Sequence, residues 1–239
     1  MLNQLQPTYF ISTSLIDSIL NRAKIYLKAG LPIHLSGPSG TGKTSMALKL
    51  AKDLGVPYYM VQGDETFNRN DLIGGTYGFH QKIIEDNFIS SVSKVEKIVM
   101  PVWVNNPITI ACREGATLIY DEFTRARPET NNVLLGIISE RVLMTVDQTG
   151  KLSLEEVHPD FKCILTSNPV EYVGVNKAQD ALEDRLVTIK LPDYDRDTLA
   201  QIVLKHAALS YEQALRIVRF IMRIHQKTPF QHSLTRSVI

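Results

Sequence analysis

The sequence predicts an α/β domain, with a mostly parallel five-stranded sheet flanked by helices, followed by a small all-helical domain. Two observations support this fold class. Short apolar runs alternate with helical patterns, and near-continuous apolar strands indicate a sheet that is buried on both faces. Beyond residue 191 the patterns are helical, with no strand between them. The predicted strands cover residues 33–36, 57–62, 116–120, 161–166 and 186–190.

Helical periodicity and capping residues place the helices. The hydroxyl residues 12–14 can cap the first helix, and Gly30 suits its left-handed C-terminal cap. A later helix begins at Pro128, and proline is favoured in a first turn. The predicted helices cover residues 13–29, 43–54, 128–140, 196–207 and 211–226. We therefore predict an α/β core at residues 1–191 and a helical domain at 192–239.

Two segments depart from the strand–helix alternation. Residues 141–158 carry alternating apolar positions and a Gln-Thr-Gly-Lys turn at 148–151, which predicts a β-hairpin. Residues 81–103 are apolar but poorly periodic, and a packed hairpin is one interpretation of them. The sequence ends at Ile239 within the pattern of a new helix, so we expect the helical domain to be incomplete.

Composition narrows the class of protein. The formal net charge of +1 over 239 residues argues against a generally basic surface, so we expect no nucleic-acid partner. A membrane-spanning helix needs an apolar run of about 18 residues, and no run in the sequence approaches that length, so we expect no membrane partner. Cys112 and Cys163 form no CxxC pair, and a buried thiol is the preferred interpretation of Cys163. Because the N-terminus also lacks a signal-peptide pattern, we expect a cytoplasmic protein.

The most informative segment is the glycine-rich loop 37–44, directly after the first predicted strand. Its sequence, Gly-Pro-Ser-Gly-Thr-Gly-Lys-Thr, is the P-loop pattern, in which backbone N–H groups and a helix N-terminus surround a phosphate. Lys43 can reach the β- and γ-phosphates, and the Thr44 hydroxyl can ligate Mg²⁺. An ordinary turn would not need these two residues side by side. The residues expected to bind nucleotide are Gly37, Pro38, Ser39, Gly40, Thr41, Gly42, Lys43, Thr44 and Ser45.

Polar residues follow two later strands, at the edge where open α/β sheets bind ligands. Asp121 can hold Mg²⁺ through its water shell, and Glu122 can polarise the water that attacks the γ-phosphate. Asn168 can contact the γ-phosphate or orient that water. Alone, the two acids could be a solvated strand end and Asn168 a turn residue before proline. The P-loop upstream favours the catalytic interpretation.

Three arginines could act between subunits. Arg185 either pairs with Asp184 or projects towards a neighbour's phosphate, where an arginine finger is worth on the order of 10³–10⁵ in turnover. Arg125 and Arg127 precede a helix, and they either contact a neighbour or are solvated loop cations.

These motifs occur in the order found in AAA+ ATPases, which the chain resembles. Residues 121–128 and the hairpin before residue 161 are similar to the MoxR branch. More narrowly, residues 86–89, 111–115 and 168–182 resemble the gas vesicle protein N family.

The resemblance implies roles for these residues. Lys43 and Thr44 match Walker A, and Asp121 and Glu122 match Walker B. Asn168 matches sensor 1, and Arg185 matches a trans-acting arginine finger. Arg236 is similar to a sensor 2 arginine of a helical lid that completes the nucleotide site.

The resemblance also implies cofactors and partners. ATP and Mg²⁺ are expected as ligands, a hexameric ring as the assembly, and gas vesicle shell or accessory proteins as partners. The expected activity is ATP hydrolysis that supports vesicle assembly by remodelling or loading shell protein, in a cytoplasmic protein that can associate with gas vesicles. Two alternatives stay open, a general MoxR-type chaperone that matures metalloenzymes or partner proteins, and a non-catalytic scaffold that ATP only gates.

Overall fold

A computed structural model of the chain describes residues 10–89, 92–146, 151–168, 180–207 and 209–227. The strands are β1 (Ile33–Ser36), β2 (Tyr58–Gln62), β3 (Gly74–Ile89), β4 (Val92–Asn105), β5 (Thr117–Asp121), β6 (Val142–Val146), β7 (Leu152–Glu156), β8 (Lys162–Ser167) and β9 (Val187–Lys190). The central sheet has the order β2-β5-β8-β1-β9, and each neighbouring pair is parallel. The predicted five-stranded parallel sheet is confirmed.

The helices are α1 (Ser14–Lys28), α2 (Lys43–Leu54), α3 (Arg69–Ile73), α4 (Pro107–Glu114), α5 (Pro128–Asn131), α6 (Val133–Leu135), α7 (Asp180–Glu183), α8 (Arg196–His206) and α9 (Tyr211–Lys227). Thr13 caps α1, since its hydroxyl accepts from the N–H of Ile16 at 3.4 Å. Gly30 follows α1 in the left-handed region, as predicted, with φ of 78°. The predicted bounds of α1, α2, α8 and α9 are confirmed to within a residue.

Other helical segments differ from the prediction. The single helix predicted for 128–140 is instead divided into α5, α6 and a π-helical turn at Gly136–Glu140. The sequence predicts no helix where α3 and α4 lie. These two helices are short, and apolar periodicity is weak evidence over so few residues.

Two apolar clusters fill the opposite faces of the sheet, because successive side chains of a strand point to opposite sides. Ile119 and Ile164 belong to the cluster formed with α1, α2, α8 and α9. Their strand neighbours Leu118, Cys163 and Leu165 belong to the cluster that packs under α4. Cys163 is a buried free thiol, as predicted. The sheet is thus covered on both sides, which leaves its strand ends as the place for a site.

The described residues also form two antiparallel hairpins. Strands β6 and β7 form the hairpin predicted for 141–158, with Val142 opposite Glu156. Strands β3 and β4 form a longer one, with Gly74 opposite Asn105, and this pairing agrees with a hairpin at 81–103.

Several predictions fall outside the described residues. These are Arg236, the turn residues 148–150, and residues 169–179, which belong to one of the stretches that resemble the gas vesicle family. The division of the chain at 191/192 stays a prediction. In the part of the chain that the structure describes, every helix is too short or too polar to cross a bilayer.

Candidate nucleotide-binding site

The P-loop connects β1 to α2 at the carboxyl edge of the sheet. Gly40 and Gly42 have φ of 83° and 79°, a left-handed conformation that glycine adopts without steric cost. Gly42 is the N-cap of α2, and as a glycine it has no side chain to cap the helix. The first N–H groups of α2 and the positive end of the helix dipole therefore suit an anion.

Lys43 lies beneath the loop that it is expected to serve. Its side chain is buried at 7% exposure, and its Nζ donates to the carbonyl oxygens of Gly37 at 2.8 Å and Pro38 at 2.7 Å. The Thr41 hydroxyl also donates to Pro38 O at 2.8 Å. The loop is consequently held in a fixed shape by its own side chains.

Thr44 and Asp121 meet across the site. The Thr44 hydroxyl lies 2.9 Å from each carboxylate oxygen of Asp121, which is 7% exposed. On its other side, Asp121 accepts from the Thr166 hydroxyl at 2.5 Å. A hydroxyl and a carboxylate are hard oxygen donors of the kind that Mg²⁺ prefers. The two residues that the sequence assigns to the metal are therefore adjacent, in a donor set that fits it.

Glu122 has an unusual backbone and an ion-paired side chain. Its φ is 51°, a left-handed conformation that is uncommon for a residue other than glycine and is often found at functional sites. Its N–H donates to the Thr166 hydroxyl at 2.9 Å. Its carboxylate pairs with the Arg125 guanidinium at 2.6 Å. Arg125, for which a neighbour contact or a solvated loop cation is expected, thus contacts the carboxylate of Glu122 in its own chain.

Gly63 allows this arrangement because it lies directly against the backbone of Glu122. Its N–H donates to Asp121 O at 2.7 Å. A Cβ built at Gly63 would lie 2.2 Å from Glu122 O, which is far inside van der Waals contact. Any larger residue would displace Glu122. The sequence pattern gave no signal for this position.

Asn168 and Arg185 lie at different distances from solvent. Asn168 follows β8 directly and is 5% exposed. Strand β8 lies between β5 and β1 in the sheet. Arg185 is exposed and contacts the Ser139 hydroxyl and the Ala181 carbonyl of its own chain, the latter at 2.5 Å. The structure brings Asn168 to the carboxyl edge of the sheet. The neighbour contact of Arg185 stays a prediction.

A cavity of about 420 Å³ opens beside the loop. One wall is polar and contains Asp121, Glu122 and the loop residues from Ser39 to Ser45. Gly37, Pro38, Asn168 and Arg185 do not line it. The other wall is apolar and was not predicted. It is formed by Phe10, Ile11, Ile16, Tyr194 and Ile202.

Tyr194 connects the two walls. Its hydroxyl donates to Thr41 O at 2.6 Å, and burial raises the pKa of this phenol to about 12. A cavity with phosphate-binding groups on one side and apolar side chains on the other suits a nucleotide. The signal for Tyr194 in the sequence is an aromatic residue between two aspartates, in the short segment 192–195 that follows the last strand.

Residues 32–186 match the family model of the AAA domain, dynein-related subfamily. The chain belongs to this family. Among its AAA-domain relatives, the gas vesicle ATPase GvpN of Ancylobacter aquaticus is 40% identical over 226 residues, which cover 95% of this chain and 63% of the relative. The GvpN of Haloferax mediterranei is 43% identical over 220 residues, covering 91% of the chain and 63% of the relative. The predicted resemblance to the gas vesicle protein N family is confirmed.

Two solved structures support the AAA+ fold. A putative ATPase from Cytophaga hutchinsonii has a TM-score of 0.55 at 20% identity, covering 86% of this chain and 58% of the other. A RuvB mutant from Thermotoga maritima has a TM-score of 0.54 at 15% identity, covering 96% and 70%. The narrower assignment to the MoxR branch stays a prediction. The chain spans about 63% of the length of the two gas vesicle relatives.

Proposed function

We propose that the chain is an ATP hydrolase that supports gas vesicle assembly. The observation that carries the proposal is the contact between Thr44 and Asp121, at 2.9 Å to each carboxylate oxygen. It joins the P-loop to the acid-bearing strand β5, as a Mg²⁺–nucleotide site requires. The vesicle role is supported by relatives that are named gas vesicle ATPase.

Binding would use groups that are already in place. Lys43 would exchange the carbonyls of Gly37 and Pro38 for phosphate oxygens, which are stronger acceptors for an ammonium group. Thr44 and Asp121 would hold Mg²⁺, which when bound offsets the negative charge of the phosphates. The apolar wall beside Tyr194 would receive the base.

Hydrolysis would depend on Glu122 and Asn168. Glu122 would orient and deprotonate the attacking water, which requires that its carboxylate turn from Arg125 towards the phosphate. Asn168, one residue beyond β8, would contact the γ-phosphate or that water. Because the backbone N–H of Glu122 donates to the Thr166 hydroxyl from a left-handed conformation, small shifts there would change turnover.

Assembly would complete the site. We infer a homo-oligomer, with a hexameric ring as the expected form, in which Arg185 of one subunit reaches the nucleotide of the next. The exposed position of Arg185 supports this, since leaving Ser139 and Ala181 costs it only surface contacts. Hydrolysis would then remodel or load shell protein, in a cytoplasmic protein associated with gas vesicles.

The first experiment measures ATP binding by calorimetry for Lys43→Ala. We expect affinity to fall by about 100-fold, since charge-assisted hydrogen bonds to phosphate are lost. Lys49→Ala is the matched control, because Lys49 lies on the same helix and pairs with Asp53 away from the loop. Retained ATP affinity in Lys43→Ala would contradict the nucleotide site.

A second experiment tests the vesicle role. The wild type or the Glu122→Gln variant is mixed with purified gas vesicle shell protein and ATP. The amount of shell protein that sediments with each of them is then compared. We expect the variant, which binds ATP without hydrolysing it, to retain shell protein longer than the wild type does. A chain that hydrolyses ATP but contacts shell protein in no nucleotide state would contradict the vesicle role and leave the hydrolase intact.

A further inference from the structure

A single imidazole is buried under the site, in a strand that is otherwise apolar or small. His34 is the second residue of β1, directly upstream of the P-loop, and is 5% exposed. Strand β1 lies between β8 and β9, and the ring reaches both. Its Nε2 lies 2.8 Å from the Ser167 hydroxyl, and its Nδ1 lies 3.1 Å from the Thr188 hydroxyl.

The same ring also contacts Phe123. The two ring centroids are 5.3 Å apart at an interplanar angle of 89°, an edge-to-face arrangement. Phe123 is fully buried and immediately follows Glu122. Ser167 immediately precedes Asn168. His34 therefore touches the chain neighbours of both residues that would act on the attacking water.

The ring has the chemistry of a connector. Burial lowers the pKa of His34 to about 4, so the ring is neutral near pH 7 and offers one donor and one acceptor. Each hydroxyl can serve as donor or acceptor, so both contacts can be satisfied at once. An aliphatic residue would fill the same space at lower desolvation cost, but it would make neither hydrogen bond.

We propose that His34, packed against Phe123, is a positioning residue for hydrolysis, which sets the placement of Asn168 relative to Glu122 through its hydrogen bond with Ser167. This inference rests on the proposed ATP hydrolysis. It assigns different roles to the two hydrogen bonds of the His34 ring. The contact with Ser167 serves catalysis, whereas the contact with Thr188 holds the ring and the edge strand β9.

Two substitutions separate these bonds. The amide of Gln reaches the position of Nε2, so His34→Gln retains a partner for Ser167. The amide of Asn reaches only the position of Nδ1, so His34→Asn retains a partner for Thr188. We expect His34→Asn to lower kcat by about 10- to 100-fold, the order of effect that follows from misplaced catalytic groups. We expect His34→Gln to stay within about threefold of the wild type, with ATP affinity unchanged in both.

The hydroxyl partners provide a second, independent pair. Ser167→Ala is expected to lower kcat as His34→Asn does, and the double variant to lower it no further, since both remove one contact. Thr188→Val is the matched control and is expected to keep kcat. Equal losses of kcat in all four single variants, in proportion to lost stability, would overturn the proposal and leave His34 a structural residue.

Hydrogen exchange decides the case without turnover. In His34→Asn, but not in His34→Gln, we expect segments 120–123 and 164–168 to exchange about tenfold faster. If the wild type does not hydrolyse ATP, the proposed function fails. The exchange comparison then tests the structural part of the inference separately: a joint response of the two segments supports the link that His34 makes between them, and no difference between the variants overturns it.

Discussion

The phosphate-binding half and the hydrolytic half of this site are built differently. Lys43 donates to the carbonyl of Gly37, the Thr44 hydroxyl donates to Asp121, and Lys43 and Asp121 are 7% exposed. Glu122 instead has a left-handed backbone and a partly exposed carboxylate paired with Arg125, while Arg185 lies at the surface. The nucleotide-binding groups are thus already in place within one chain, whereas the proposed hydrolysis would need groups that move or come from a neighbour.

Substitution of Arg185 is expected to give the largest difference between the effect on hydrolysis and the effect on ATP binding. Arg185→Ala should lower kcat by about 10³- to 10⁵-fold and leave ATP affinity unchanged, because a finger acts on a neighbour's transition state. Mixing it with Glu122→Gln should restore part of the activity, since the second variant supplies Arg185 to an intact site. Steady-state ATPase assays of the mixtures measure this.

Arg127→Ala is the comparison variant, because Arg127 is exposed on the segment before α5. Unchanged turnover in Arg185→Ala, together with a large loss in Arg127→Ala, would assign the finger to Arg127.

Glu122→Gln should separate the halves almost as strongly. The amide cannot accept a proton, so kcat should fall by about 10²- to 10⁴-fold while calorimetry shows ATP affinity within about twofold. Glu129→Gln on α5 is the control, since Glu129 is an exposed acid outside the cavity. Normal turnover in Glu122→Gln would refute its role as the base.

Acid should lower the stability of the whole site, because the buried His34 lies beneath it. The unfolded chain binds a proton at His34 near pH 6.5, whereas burial lowers the folded pKa to about 4. The unfolded state therefore binds more protons between these values, and stability is lost as pH falls from 6.5 towards 4, by about 3 kcal/mol in total.

Urea unfolding at several pH values measures this loss. His34→Gln lacks the titrating group, so the difference between its pH profile and that of the wild type isolates the contribution of the ring. Parallel profiles would show that other groups account for the acid sensitivity.

The smallest expected effect comes from Gly63→Ala. The added Cβ would meet Glu122 O at 2.2 Å, so the backbone must shift, at a cost of about 1–3 kcal/mol in stability. Turnover should fall while ATP affinity is retained, because the shift reaches Glu122 first. Gly55→Ala, at φ of 71° with nothing within 4 Å of the new Cβ, is the control for stability alone. Equal kcat in the two variants would contradict this path to Glu122.

The sequence predicted the elements whose signals are local. Five apolar runs became the five strands of the sheet, and the glycine-rich loop lies where the P-loop pattern placed it. It did not predict α3 and α4, because short helices carry little periodicity. The division of 128–140 into separate pieces was not predicted either, although the breaks lie at Asn132 and Gly136, residue types of low helix propensity.

Contacts between distant segments were the other limit. Thr44 and Asp121 were expected to share a metal because their motifs imply it, and they do lie together. Tertiary structure produces three further features. These are the pairing of Glu122 with Arg125, the close approach of Gly63 to Glu122, and the position of His34. The clearest available clue was His34 itself, a lone imidazole in an apolar strand.

The hydrogen bond between Tyr194 and Thr41 has a mechanical consequence. Tyr194 stands immediately before Asp195, the N-cap of α8, and its hydroxyl holds the P-loop backbone at 2.6 Å. A rotation of α8 about this point must either stretch that bond or pull the loop along. While this bond is kept, the tyrosine couples the shape of the loop to the tilt of the helix.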